Sequence, residues 1–235
     1  MTAGGDQCHT PFGVFDLKRY PARPKEQLQA WNSADILLLE SFQALGLPAR
    51  QALVVNDEHG ALTTALQPAG LWTDSRLSAL AVDANVARNG RFPVTITWST
   101  DPPPRGLNCA VMRVPKQAAY FEYQLSLLAD ALPDGASLLA SGMDKHLSPH
   151  TAATLERCFG PTERYPGKRK ARVFHARKAI RGQSRGEWRV AYRCDALGSD
   201  LFSLPNVFSR EQLDIGSRLL LQHLDALEPA SSVVD

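Results

Sequence analysis

Short apolar runs alternate with longer amphipathic stretches from about residue 12 to residue 160. The runs are Ala52–Asn56, Leu71–Thr73, Val94–Trp98, Cys109–Val114 and Ser137–Ser141. Each is too short for a helix, and together they read as buried strands. Phe12–Tyr20 alternates well enough for a further strand ahead of them. A helix is expected over Lys25–Leu45, with Leu28, Trp31, Leu38, Phe42 and Leu45 on one face. Others are expected over Ala61–Gln67 and over Arg76–Arg88, whose apolar positions are Leu77, Leu80, Ala81 and Ala84 and whose stop is Asn89-Gly90. Lys116–Leu132 is helical, and so is Ser148–Phe159, with Ser148 as cap and Pro149 at the first position. The prolines of Asp101-Pro102-Pro103-Pro104 make that segment a loop.

Strands alternating with helices define an α/β domain with a doubly wound, mostly parallel sheet. Ala171–Lys178 and Glu187–Cys194 flank a turn at residues 181–186 and are expected to pair as a closing antiparallel hairpin. Such an ending fits the seven-stranded, Rossmann-like variant used by S-adenosylmethionine-dependent methyltransferases. Beyond it, Ser209 can cap a helix running to Leu227 through Leu213, Gly216, Leu220 and Leu224. Glu228-Pro229 closes that helix, and Ser231–Asp235 reads as a strand entering a further fold. The chain is therefore expected to be the front part of a longer protein. Residues 1–205 form one domain, and residues 206–235 are a linker helix plus the first strand of a truncated C-terminal domain.

Ligands of such sheets sit at the carboxyl ends of the strands, where the first strand-to-helix turn needs glycines for close backbone approach. Here that turn is Val54–Leu62, with Gly60 its single glycine and Asp57, Glu58 and His59 filling it. Asp74, after the second strand, stands where a ribose-binding acid would, without the glycine loop to support it. Enzymes that methylate exocyclic amines often carry Asn-Pro-Pro-aromatic after the fourth strand. This chain has Arg113-Val114-Pro115-Lys116, which lacks the amide and the aromatic. The cofactor site is read as degenerate, with no catalytic residue in this segment. Asp57, Glu58 and His59 are read as polar turn residues.

Charge changes the picture more than composition does. Residues 163–193 hold eleven Lys or Arg against Glu163 and Glu187, a net of +9 that leaves −7 on the rest of a chain whose total is +2. Lys168, Arg169, Lys170, Arg172, Arg177 and Lys178 are the candidate contacts to RNA phosphates, which such charges bind without reading sequence. Tyr165, Phe174, Trp188 and Tyr192 lie among them and either stack bases or pack the hairpin. Cys8, Cys109, Cys158 and Cys194 are far apart with no Cys-x-x-Cys pair, which favours free thiols and the cytoplasm over a structural zinc. His146 and His150 are four apart, but Ser148-Pro149 separates them, so no metal is expected. No apolar run approaches a membrane span.

Four stretches resemble a known family. Leu28–Asp35, Val55–Leu62, Arg113–Lys116 and Asn206–Arg218 (NVFSREQLDIGSR) look like the RlmG-type 23S rRNA guanine-N2 methyltransferases, and the last is the most specific. That resemblance implies two methyltransferase-like domains in tandem, the first degenerate and assisting rRNA recognition. The second would bind S-adenosylmethionine and carry Asn-Pro-Pro-Phe. It further implies that Phe208, Ser209 and Asp214 border the cofactor pocket of that second domain, and that this segment alone holds no cofactor. The expected partners are 23S rRNA and the catalytic domain of the same chain. Two alternatives stay open: a purely structural domain, or a methyltransferase with an unorthodox pocket.

Overall fold

A computed structural model describes residues 7–182 and 188–224. It divides into two compact units, Met1–Ser184 and Arg185–Asp235. The first opens with an antiparallel pair, β1 (Gln7–Thr10) and β2 (Gly13–Asp16), so the single strand expected over residues 12–20 is the second arm of a hairpin. Helix α1 spans Ser33–Ala44, eight residues shorter at its start than the apolar spacing predicts. Asn32 fixes that start. Its side chain accepts from the Ala34 amide while Asp35 accepts from the Asn32 amide, a capping box. Leu28 therefore lies outside the helix and is exposed.

The main sheet is built from β3 (Ala52–Val55), β4 (Gly70–Thr73), β5 (Ile96–Trp98), β6 (Cys109–Arg113), β7 (Ser137–Met143), β8 (Thr162–Arg164) and β9 (Ala171–Arg177). Their spatial order is β5-β4-β3-β6-β7-β9-β8. The first five run parallel, and β9 lies antiparallel to both β7 and β8. This is the doubly wound sheet the alternating pattern predicts. Between the strands come α2 (Ala61–Leu66), α3 (Arg76–Arg88), α4 (Ala118–Ala131) and α5 (Thr151–Cys158). Helices α1, α2 and α3 pack in one group and α4 and α5 in another. Strands β3 and β4 are buried along their whole length, as a sheet covered on both faces requires. Helix α3 has the predicted ends, but Ala79, Ala81, Val82, Asn85 and Val86 face the core while Leu77 is exposed.

The closing hairpin has a different partner from the one expected. Ala171–Arg177 pairs with Thr162–Arg164, which precedes it, and not with residues 187–194. A three-residue strand, TER, has no apolar alternation to betray it. The segment expected to pair with β9 forms β10 (Val190–Cys194), which joins β11 (Ser199–Ser203) within the second unit. The last described helix of that unit is α6 (Ile215–His223), which starts five residues later than the Ser209 cap predicts. The cap is Asp214, whose Oδ1 accepts from the Gly216 and Ser217 amides. Ser209 sits in a turn at φ +51° and donates to the Gln212 carbonyl. The strand expected at Ser231–Asp235 lies outside the described residues. All four cysteines are free.

Candidate functional site

Two features meet at the carboxyl ends of the parallel strands: a turn closed by its own side chains and a rim of exposed cations. The closed turn joins β3 to α2. Asp57 is fully buried, and it spans the start of α2. Its Oδ1 accepts from the Gly60 amide at 2.9 Å and its Oδ2 from the Thr63 amide at 2.8 Å. These are backbone donors at the helix start that a ligand anion would otherwise use. Burial, reinforced by the nearby Asp35 charge, pushes the Asp57 carboxyl up to about 6. Gly60 is required by its backbone angle and by packing. It adopts φ +89°, and an added Cβ would stand 3.0 Å from the Val82 Cα of α3.

Side chains from distant elements complete the closure. Arg113, at the end of β6, forms a buried ion pair with Asp35 of α1. Burial pulls the Arg113 pKa down, but Asp35, Glu58 and Asp57 around it more than restore the charge, so the net direction is upward. Asn56 adopts φ +59° and exchanges two hydrogen bonds with Gln124 of α4, donating at 2.7 Å and accepting at 2.9 Å. Its amide also donates to the Arg113 carbonyl. His59 Nε2 accepts from Arg19 Nε at 3.2 Å, consistent with a ring that burial keeps neutral. Trp72, on the strand before Asp74, is buried and donates to the carbonyls of Trp98 and Asp101. It stacks on Tyr123, which in turn stacks on Tyr120. Asp74 lies exposed beside Tyr120.

Sequence reasoning found the polar turn residues but missed Asp35, Arg113, Asn56 and Gln124 as its partners. Two local signals were present: the Asn32-x-x-Asp35 cap, and an arginine ending an otherwise apolar strand. The 78-residue separation of the ion pair was not legible locally.

The six candidate RNA-contacting cations do not form one patch. Lys168, Arg169 and Lys170 occupy the tight turn entering β9, with Arg172 just inside the strand, while Arg177 and Lys178 lie at its far end. Seven residues of strand separate the ends by about 20 Å. Because β9 runs antiparallel, its first end lies at the carboxyl ends of the parallel strands and its second at their amino ends. Lys168 and Ala171 exchange both backbone hydrogen bonds, at 2.9 and 3.0 Å, around Arg169 and Lys170 at φ +54° and +59°. Such a turn favours Asn-Gly. Left-handed backbone at non-glycine residues costs roughly 1–2 kcal/mol each, and it is anchored here by the Asp144 amide donating to the Lys170 carbonyl. Lys168 and Arg169 both pair with Glu40 of α1, Arg172 with Asp144, and Lys178 with Asp134. Lys170 and Arg177 are exposed. Phe174 is buried, and Tyr165 packs edge-on against His175, so both serve the core.

In the second unit, Phe208 is 82% exposed and Ser209 and Asp214 are half-buried. The hydrogen bond from Ser217 holds the Asp214 carboxyl below its ordinary value. Among the described residues there is no cluster of three or more potential metal ligands, and no helix is long and apolar enough to cross a membrane.

The RLMG N-terminal domain family matches residues 5–179, and the Methyltransferase small domain family matches residues 198–235. The Ribosomal RNA large subunit methyltransferase G of Alcanivorax borkumensis is 38% identical over 97% of this chain and 62% of its own length. That of Pseudomonas aeruginosa is 38% identical over 92% of this chain and 59% of its own length. The chain thus spans about three-fifths of these relatives. Among solved structures, the T. thermophilus 16S rRNA N2 methyltransferase RsmC, in complex with AdoMet and guanosine, superposes with a TM-score of 0.62 at 18% identity. It covers 94% of this chain and 57% of that one. The ribosomal protein L11 methylase of Lactobacillus delbrueckii gives 0.52 at 16% identity, over 69% and 92% of the two chains. These likenesses bear out the methyltransferase-type fold, and the match over residues 5–179 settles the family: this chain belongs to the RLMG N-terminal domain family.

Proposed function

We propose that this chain is the non-catalytic, RNA-recognising front part of a 23S rRNA guanine-N2 methyltransferase. The observation that carries the reading is the closed turn. The donors at the start of α2 are taken by Asp57, and Arg113 occupies the place of the catalytic amide and is locked to Asp35. S-adenosylmethionine does not fit a turn whose Gly60 and Thr63 amides are already taken by Asp57. The cofactor, the methyl transfer and the Asn-Pro-Pro-Phe motif belong on this reading to a following domain. Residues 1–205 are the recognition domain, and residues 206–235 lead into the catalytic one, with Phe208, Ser209 and Asp214 beside its pocket. The partners are 23S rRNA and that catalytic domain, in the cytoplasm, without a metal.

A second reading has a specific observation behind it. Lys168, Arg169, Arg172 and Lys178 are satisfied by the chain's own acids, as they would be in a purely structural domain that touches no RNA.

Two measurements decide. Titration calorimetry of S-adenosylmethionine against this chain is expected to show no binding in the micromolar range, about −8 kcal/mol; heat at that affinity overturns the non-catalytic reading. RNA affinity is expected to fall, and its salt dependence to flatten, when Lys168, Arg169, Lys170 and Arg172 are replaced by alanine. Unchanged affinity and slope would transfer the argument to the structural reading.

A further inference from the structure

The rim cations hold an anion already, and it belongs to the protein. Glu40 projects from α1 with one carboxylate oxygen 3.1 Å from Arg169 Nη1 and the other 3.4 Å from Lys168 Nζ. Two cations on separate oxygens of one carboxylate is the arrangement in which charged donors take a phosphate. All three side chains are 34–58% exposed, so the contact is open to exchange with solvent ions. Ion pairs this exposed are weak. The strained turn presenting Arg169 and Lys170 is also held at three backbone points, through Lys168, Ala171 and Asp144. Left-handed backbone at two consecutive long basic residues, where glycine or asparagine would sit without strain, points to a use for the side chains.

We infer that the turn before β9 is an RNA phosphate-binding subsite in which Glu40 occupies the phosphate position until RNA displaces it. This rests on the RNA-recognition reading above and adds to it the location and the competitor. Lys170 stands beside the subsite, and Lys145 follows Asp144, the residue whose amide holds the Lys170 carbonyl. Both are exposed, and they extend the rim. Lys116 leaves β6, the neighbour of β7, at the same end of the sheet. Arg177 and Lys178 take no part. They lie at the opposite end of β9, and Lys178 is mostly buried against Asp134.

The inference predicts that removing an acid strengthens binding. Binding of a fluorescein-labelled RNA hairpin is measured by anisotropy over a series of KCl concentrations, with the melting temperature of each variant as a folding control. Glu40→Gln is expected to tighten binding about two- to tenfold, the equivalent of releasing two exposed ion pairs. The double variant Lys168→Ala/Arg169→Ala is expected to weaken it and to lower the slope of log K against log salt by about one. Lys145→Ala weakens it, and Arg177→Ala leaves it unchanged. If the wild type binds RNA but Glu40→Gln binds no tighter, the subsite is refuted while the recognition reading stands. If the wild type shows no salt-dependent binding, both fall. A gain toward a polyglutamate peptide with no gain toward RNA overturns the inference in favour of an acidic protein partner.

Discussion

Replacing Arg113 with methionine keeps most of the side-chain volume and removes the charge that faces Asp35. The pair is sequestered, with side-chain exposures of 14% for Arg113 and 6% for Asp35. Asp35 would keep one hydrogen bond, from the Asn32 amide at 2.8 Å, and would otherwise be a buried carboxylate without a counter-charge. Breaking a buried pair from one side costs about 3–5 kcal/mol. For a chain of this size each kcal/mol moves Tm by about 2–4 °C, so a fall of about 10 °C is expected. Removing both charges should restore most of the loss. Asp35→Asn with Arg113→Met keeps an acceptor for the Asn32 amide and leaves no charge stranded, and such replacements are often near neutral. Urea unfolding followed by tryptophan fluorescence reads this directly, since Trp72 is fully buried in the same unit. The reasoning is refuted if the single variant loses less than about 1 kcal/mol, or if the double variant is no more stable than the single one.

Asp57 gives a pH signature of unusual sign for a carboxylate. Its folded pKa, about 6, lies above the ordinary 3.8, so between these values the folded chain holds a proton that the unfolded chain has released. Its contribution to stability is therefore full below pH 3.8 and declines as pH rises through 6, by about 3 kcal/mol in total. Asp57→Asn should remove this decline from the difference between the two proteins' urea stabilities at pH 4 and pH 7. Gly60→Ala places a Cβ 3.0 Å from the Val82 Cα at a backbone φ of +89°, and is expected to cost about 2 kcal/mol by thermal melting; no change would mean that α2 and α3 adjust freely.

What could be read in the sequence was what its local chemistry encodes. Helix α3 ends where Asn89-Gly90 says it must, because the stop lies next to the segment, while the cap at its start, the Ser75 hydroxyl accepting from the Ser78 amide, is a finding of the structure. Helix α1 was extended too far because Leu28 and Trp31 match the period, while the residue that starts the helix, Asn32, does so by hydrogen bonding and not by apolarity. The start of α6 was misplaced for the same reason, with Asp214 taking the role given to Ser209. Pairing in the sheet is a non-local property. Nothing in Ala171–Arg177 states whether its partner lies before or after it. Of the candidate site, the single glycine of the β3–α2 turn and the basic run were legible, since both are matters of composition at known positions. The ion pairs that Glu40 makes with Lys168 and Arg169, across 128 and 129 positions, required the fold.

The closed turn also constrains which single substitutions it can accept. Placing glycine at 57 would strip the acceptor from the Gly60 and Thr63 amides, and placing an amide at 113 would strand Asp35. Either change alone is destabilising while the other residues are still in place. The side chains act as an interlock: Asp57, Arg113 and Asp35 tie the β3–α2 turn to the end of β6 and the start of α1, so that no one of them can be exchanged without exposing the need for the others.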